Sequence, residues 1–95
     1  MKVTAQEIDA FLQQHPGWAM VEGELVREWS FTGFSPAMEF ANRIAALAEA
    51  ANHHPDILIR YNKVRLSLIS HDLGAITGRD LHMIGRIDAT EKGGF

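Results

Sequence analysis

The sequence predicts an α+β fold, a four-stranded antiparallel sheet with helices packed on one face, in the order α-β-β-α-β-β-α. Two observations carry this. Three stretches repeat apolar residues at helical spacing, and four short apolar runs fall into two pairs, each split by a short turn. Helices kept apart from hairpins in this way cover an antiparallel sheet rather than alternate with parallel strands. Of the 95 residues, 46% are hydrophobic, enough for a core and too many for a disordered segment. The length lies below one average domain of about 150 residues, so residues 1–95 are read as a single domain. A chain this short buries only about two-thirds of its unfolded surface, which makes oligomerisation an expected supplement.

Thr4 and Glu7 have the form of a capping box, and Ile8, Phe11 and Leu12 follow at i, i+3, i+4. A first helix is expected from about Ala5 to Gln14, stopped by His15-Pro16-Gly17. Trp18 to Val21 and a run starting at Leu25 predict two strands around a turn at Glu22-Gly23-Glu24. In the second strand Leu25, Arg27, Trp29 and Phe31 share one face, and Val26, Glu28 and Ser30 the other. Ser35-Pro36 reads as a helix start, an N-cap followed by proline at the first helical position. Phe40, Ile44, Leu47 and Ala51 recur at helical spacing, His53 and His54 close the helix, and Pro55 ends it. Ile57 to Tyr61 and Val64 to Ser70 predict a hairpin about Asn62-Lys63. Tyr61 then faces Val64, Ile59 faces Leu66 and Ile57 faces Leu68, all on one side. Thr77 caps a last helix carrying Leu81, Ile84 and Ile87, and Gly93-Gly94 forms a frayed tail. One sheet face is left bare, to meet solvent or another subunit.

Nine Lys and Arg against twelve Asp and Glu give a formal charge of −3, which argues against non-specific phosphate binding. No cysteine is present, which removes disulfides, thiolate nucleophiles and Cys-ligated zinc. Met1 to Glu7 contains no apolar stretch, and the longest uninterrupted apolar run, Ile44 to Ala48, is far too short to span a bilayer. A soluble, cytoplasmic protein without nucleic-acid or membrane partners is the expectation.

Chemistry points to His53, His54 and His71. Glu49 stands four residues before His53, which places both on one helix face. A helix C-terminus and a carboxylate both favour imidazolium, and histidine titrates near neutrality, so such a site holds proton donors and acceptors together. Plainer readings stand beside this one. Histidines at helix ends cap carbonyls, and Thr77-x-x-Asp80 has the form of a capping box. Arg79 is explained equally by an exposed position, and Trp18, Trp29, Phe31 and Phe34 by core or interface packing. Three imidazoles with Glu49 or Asp56 also offer the donors of a zinc site. Adjacent histidines at a helix exit diverge, however, and no His-x-x-x-His pair is present, so no metal is expected.

The string Glu49-x3-His53-His54-Pro55-x5-Tyr61-x9-His71-x8-Asp80 closely resembles the signature of the pterin-4a-carbinolamine dehydratases. Tyr61-Asn62-Lys63-Val64, His71-Asp72-Leu73-Gly74, Gly17-Trp18, Arg27 to Phe34, Ala37 and Phe40 agree with it, so the likeness runs over roughly residues 11 to 88. Ile57 departs from it, standing where many members carry tryptophan. The resemblance implies a hydro-lyase that dehydrates 4a-hydroxytetrahydrobiopterin to quinonoid dihydropterin plus water, in tetrahydropterin recycling and without a cofactor. By carry-over, His53, His54 and His71 are catalytic, with His53 and His71 the acid–base pair. Glu49 orients His53 or holds substrate, and Pro55, Arg79 and Asp80 complete the substrate-binding set. Homodimers or homotetramers are implied as well. The rival implication is a non-enzymatic dimerisation cofactor for a homeodomain transcription factor. A further one is a pterin role in molybdopterin or folate metabolism.

Overall fold

The computed structural model describes residues 2–92. It contains α1 (Ala5–Gln14), β1 (Ala19–Val21), β2 (Glu24–Ser30), α2 (Phe34–Ala51), β3 (Asp56–Arg60), β4 (Lys63–Leu68) and α3 (Gly78–Lys92). The strands lie in the order β1-β2-β4-β3, every neighbouring pair antiparallel. This is the expected α+β order. The expected Gly93-Gly94 tail lies outside the described residues.

Local chemistry accounts for most boundaries. The Thr4 hydroxyl accepts the Glu7 N–H at 3.1 Å and the Glu7 carboxylate accepts the Thr4 N–H at 2.8 Å, a complete capping box for α1. Val21 pairs with Glu24, so the first turn is the two residues Glu22 and Gly23 alone, with φ of +50° and +84°. Positive φ at both positions gives the turn the twist its strands require.

Two expectations are corrected. Helix α2 begins at Phe34 with Gly33 as its N-cap, so Ser35 lies inside the first turn instead of capping it. At its other end Asn52 turns left-handed (φ +50°) and its N–H returns to the carbonyls of Ala48 and Glu49. The helix therefore stops at Ala51, and His53 and His54 lie beyond it rather than on its last turn. The second hairpin also differs. Arg60 pairs with Lys63, Ile59 with Val64 and Ile57 with Leu66, a slide of two from the expected register, with Tyr61 and Asn62 in the turn. Phe31 N–H donates to the Asn62 carbonyl at 2.8 Å and the Asn62 amide donates back to the Phe31 carbonyl at 3.0 Å. Those two bonds pin the turn to the end of β2. Side-chain faces survive a slide of two, because the pleat repeats every second residue.

The core lies between the sheet and the helices. Phe40, Ile44 and Ala48 of α2, Ile84 and Ile87 of α3 and Ile8 of α1 cover Leu25, Trp29, Val64, Leu66 and Leu68. Trp18 and Trp29 are buried and Phe31 half-buried, while Phe34 is exposed. On the uncovered face Glu28, Arg65 and Leu58 stand abreast, Leu58 51% exposed.

One polar anchor ties the covered side together. The buried Asp88 of α3 accepts from Trp18 Nε1 at 3.1 Å and from Arg27 at 3.2 Å, and His15 Nδ1 lies 2.8 Å away. Gly17 (φ +99°) leaves room for this, since a Cβ there would stand 2.8 Å from Arg27 Nε. Replacing Asp88 by alanine leaves the buried Trp18 Nε1–H without this acceptor and removes the contacts to His15 and Arg27, and is expected to cost about 2 kcal/mol. In a chain of this size that lowers the melting temperature by roughly 10 °C. An unchanged thermal melt would remove the anchor from the account.

Candidate active site

Two segments meet beside the core. One is the exit of α2, where the Asn52 cap reverses the chain into His53-His54-Pro55 and then β3. The other follows β4, where Ser70 and Ala75 bridge each other at 3.1 and 3.4 Å and close the loop carrying His71 and Asp72. Between them lies a hollow of about 230 Å³, lined by Asn52, His53, His54, Ile69, His71 and Asp72. Two hollows on other parts of the surface are larger. One of about 490 Å³ runs past Phe31, Pro36, Glu39 and Arg43, and one of about 420 Å³ lies at Glu28, Arg60 and Lys63. Neither is lined by an imidazole, so size is a poor guide to chemistry here.

Three of the expected residues, His53, His54 and His71, are brought to one cavity. Glu49, Arg79 and Asp80 do not line it. Each instead holds a residue that does. Glu49 Oε2 lies 2.6 Å from His54 Nε2, Arg79 donates to Asp72 Oδ1 at 2.7 Å, and Asp80 Oδ1 lies 2.6 Å from His53 Nε2. The expected pairing of Glu49 with His53 is thus corrected. The chain reversal at Asn52 removes His53 from the helix face and returns His54 to it. Pro55 joins His54 to β3 and is not among the lining residues. Asn52, Ile69 and Asp72 line the hollow without having been singled out. Asn52 could have been read as a left-handed helix cap, and Asp72 from its place beside His71.

Asp80 is fully buried, and its surroundings fix the direction of every proton near it. Its Oδ2 accepts from the Ser70 hydroxyl at 2.8 Å and from the Thr77 N–H at 2.9 Å. A carboxylate only accepts. Ser70 Oγ therefore gives its single proton to Asp80, and the 2.7 Å contact between Ser70 Oγ and Thr77 Oγ1 has Thr77 as donor. Thr77 Oγ1 in turn accepts the Arg79 N–H at 3.2 Å. By the same argument His53 Nε2 carries a proton and donates it to Asp80 Oδ1. Nδ1 is then the ring nitrogen able to exchange a proton. Among the described residues no buried side-chain N or O atom lacks a partner, and no group of three His, Cys, Asp or Glu is placed to hold a metal ion.

The hydrogen bond from Arg79 holds the Asp72 carboxyl below its ordinary value of 3.8. A depressed value keeps the contact intact above the ordinary carboxylate range and releases it only as pH falls through the lowered one. Arg79→Ala is expected to bring the Asp72 titration back up toward 3.8, as followed by carboxyl-carbon NMR. A titration that does not move with the substitution contradicts this cause.

The family model described as Pterin 4 alpha carbinolamine dehydratase matches residues 1–90. A protein of Picosynechococcus sp. named "Putative pterin-4-alpha-carbinolamine dehydratase" is 42% identical over 87 residues, 92% of this chain and 95% of that one. A protein of the same name from Thermomicrobium roseum is 49% identical over 80 residues, 84% and 86% of the two chains. A crystal structure described as a transcriptional coactivator/pterin dehydratase from Brucella melitensis superposes with a TM-score of 0.88 at 30% identity, covering 94% of this chain and 97% of that one.

Proposed function

The chain belongs to the pterin 4 alpha carbinolamine dehydratase family, and we propose that it dehydrates 4a-hydroxytetrahydrobiopterin to quinonoid dihydropterin through its three clustered histidines. The observation that supports this most is the meeting of His53, His54 and His71, from two distant segments, around one hollow. At about 230 Å³ it lies below the range of pockets for drug-sized ligands, which suits a flat two-ring heterocycle with its substituents outside.

The chemistry asks for little more than proton transfer. Hydroxide is a poor leaving group, so an imidazolium protonates the 4a oxygen as the C4a–O bond breaks and water departs. The lone pair of a ring nitrogen forms the new C=N bond, and that nitrogen's proton passes to a second base. One proton is given and one taken, so nothing is oxidised or reduced. His53, acting through Nδ1, and His71 from the facing loop form this pair. His54, braced by Glu49 where both side chains are largely exposed, positions the pterin, and Ile69 offers an apolar wall to the ring face. Arg79 holds Asp72 at the rim, and Pro55 fixes the direction in which the chain leaves His54.

Reduction of the quinonoid product would regenerate the tetrahydropterin, so the role proposed for the protein is in pterin recycling. The uncovered sheet face and small core suit a homodimer or homotetramer. A cytoplasmic location accords with this role, and among the described residues no helix is long and apolar enough to cross a membrane.

The test is a stopped assay on freshly generated 4a-carbinolamine. Wild-type protein is expected to accelerate its disappearance well above the buffer rate with quinonoid dihydropterin as product. A rate equal to buffer leaves the protein a binding module and ends the enzymatic reading.

A further inference from the structure

We propose that Ser70 and Thr77 are positioning residues that hold the Asp80 carboxylate with Oδ1 turned to His53 Nε2, and so keep the His53 ring in place with Nδ1 left to exchange a proton. The inference rests on the dehydratase reading for its kinetic consequence, but its geometric part stands apart from it.

Three facts carry it. Ser70, Thr77 and Asp80 are all fully buried or nearly so, which shields their hydrogen bonds from exchange with water. Each has one hydrogen-bonding direction open to it, as the Asp80 carboxylate can only accept. The run Arg79 N–H to Thr77 Oγ1, Thr77 O–H to Ser70 Oγ, and Ser70 O–H to Asp80 Oδ2 is consequently a one-way chain, with contacts of 3.2, 2.7 and 2.8 Å. It ends on the oxygen that faces away from His53. With Oδ2 taken by Ser70 and by the Thr77 N–H, Oδ1 is turned to His53 Nε2 at 2.6 Å. Neither hydroxyl lines the hollow, so neither touches substrate. Both act through Asp80.

The local sequence explains how this is built. Ser70 stands two residues after the end of β4, where its N–H and carbonyl both bond to Ala75 and the loop to His71 begins. Thr77 precedes the first turn of α3, where its N–H meets Asp80 directly and its hydroxyl reaches Asp80 only through Ser70. One segment thus delivers His71 to the hollow and, one residue earlier, holds the carboxylate that meets His53. Side chains that orient metal-bound histidines commonly change activity roughly ten- to a hundredfold when removed, and an effect of the same order is expected for orienting His53 through Asp80.

The test uses imidazole ¹⁵N NMR together with dehydration kinetics on wild type, Ser70→Ala and Ser70→Thr. In wild type at a pH where His53 is neutral, Nε2 is expected to carry the proton and Nδ1 none. Ser70→Ala is expected to leave the proton on Nε2, since the Asp80 carboxylate still accepts it, but to shift the His53 Nε2 signal as Oδ2 loses a donor, with kcat lowered about tenfold and KM within twofold. Ser70→Thr, which keeps the hydroxyl, is expected to restore both. A merely structural serine would lower the melting temperature without moving the Nε2 signal. If Ser70→Ala does not fold, Ser70→Cys keeps the shape with a weaker donor and is measured in the same two ways. An unchanged Nε2 signal and an unchanged kcat in the folded variant overturn the proposal. A signal that moves on substitution in a protein that does not dehydrate leaves the positioning intact and removes the dehydratase reading instead.

Discussion

His71→Ala is expected to lower kcat for carbinolamine dehydration by about 10²–10⁴-fold, the usual contribution of a positioned acid–base group. The same substitution is expected to leave the fold and oligomer size unchanged. His71 is exposed on the loop after β4, and its ring makes no hydrogen bond or ion pair among the described residues. Its removal breaks no structural contact beyond its own solvation. A group that acts only as a bond breaks lowers kcat and kcat/KM together, whereas one that holds ground-state pterin raises KM. The expected pattern is the first. If His71→Ala dehydrates at the wild-type rate, His71 is a passive rim residue and the acid–base pair must be sought elsewhere. A protein whose role is to bind a partner predicts that null result for His53→Ala as well.

The features that place His71 in the hollow were partly legible in the chain itself. The capping box at Thr4 and the apolar stripes of Phe40, Ile44, Ile84 and Ile87 are local signals used as they read, and the turn expected at Glu22-Gly23-Glu24 forms there one residue shorter, with Glu24 already in β2. The parity of the strands was legible too, because it depends only on alternation. The register of the second hairpin was not. Tyr61 adopts φ +51° in the turn, a conformation more at home with glycine or asparagine, and what fixes it there is the pair of bonds between Asn62 and Phe31. A contact across 31 positions leaves no trace in the local pattern. The same limit applies to His53. Four-residue spacing suggested Glu49 as its partner, but spacing argues only within a helix, and Asn52 ends the helix first. The partner it finds, Asp80, is 27 positions away. Asp80 itself had two readings, helix cap and pocket support, and its two oxygens let it serve as both. Oδ2 meets the Thr77 N–H at the start of α3, while Oδ1 meets His53.

That division of labour between two oxygens makes Asp80→Asn the most informative substitution in the molecule. A carboxylate accepts on both sides, whereas a carboxamide offers one oxygen and one NH₂. The Thr77 backbone N–H cannot turn away, and it shares its side of Asp80 with the Ser70 hydroxyl. The amide oxygen is therefore drawn to that side, which leaves the NH₂ facing His53 Nε2. Nε2 must then accept, and the proton of the neutral ring moves to Nδ1, which can then take no proton from substrate and, in an uncharged ring, gives one up poorly. Reversal of this kind in a buried carboxylate–imidazole pair costs about 10⁴-fold in kcat in a serine protease, and a loss on the order of 10³–10⁴-fold is expected here. Because the Ser70 hydroxyl, the Thr77 N–H and His53 Nε2 each keep a partner, and only the second amide N–H is left without one, the thermal melt is expected to fall far less than when the side chain is removed. Asp80→Ala differs in kind. It strands His53, Ser70 and the Thr77 N–H in a buried site with no acceptor, at a cost of about 3–5 kcal/mol, a large share of the 5–15 kcal/mol that holds a domain of this size folded. The pair of variants separates the two duties of one side chain. An Asp80→Asn protein that melts like wild type and dehydrates like wild type would show that the proton on His53 Nε2 is irrelevant to turnover.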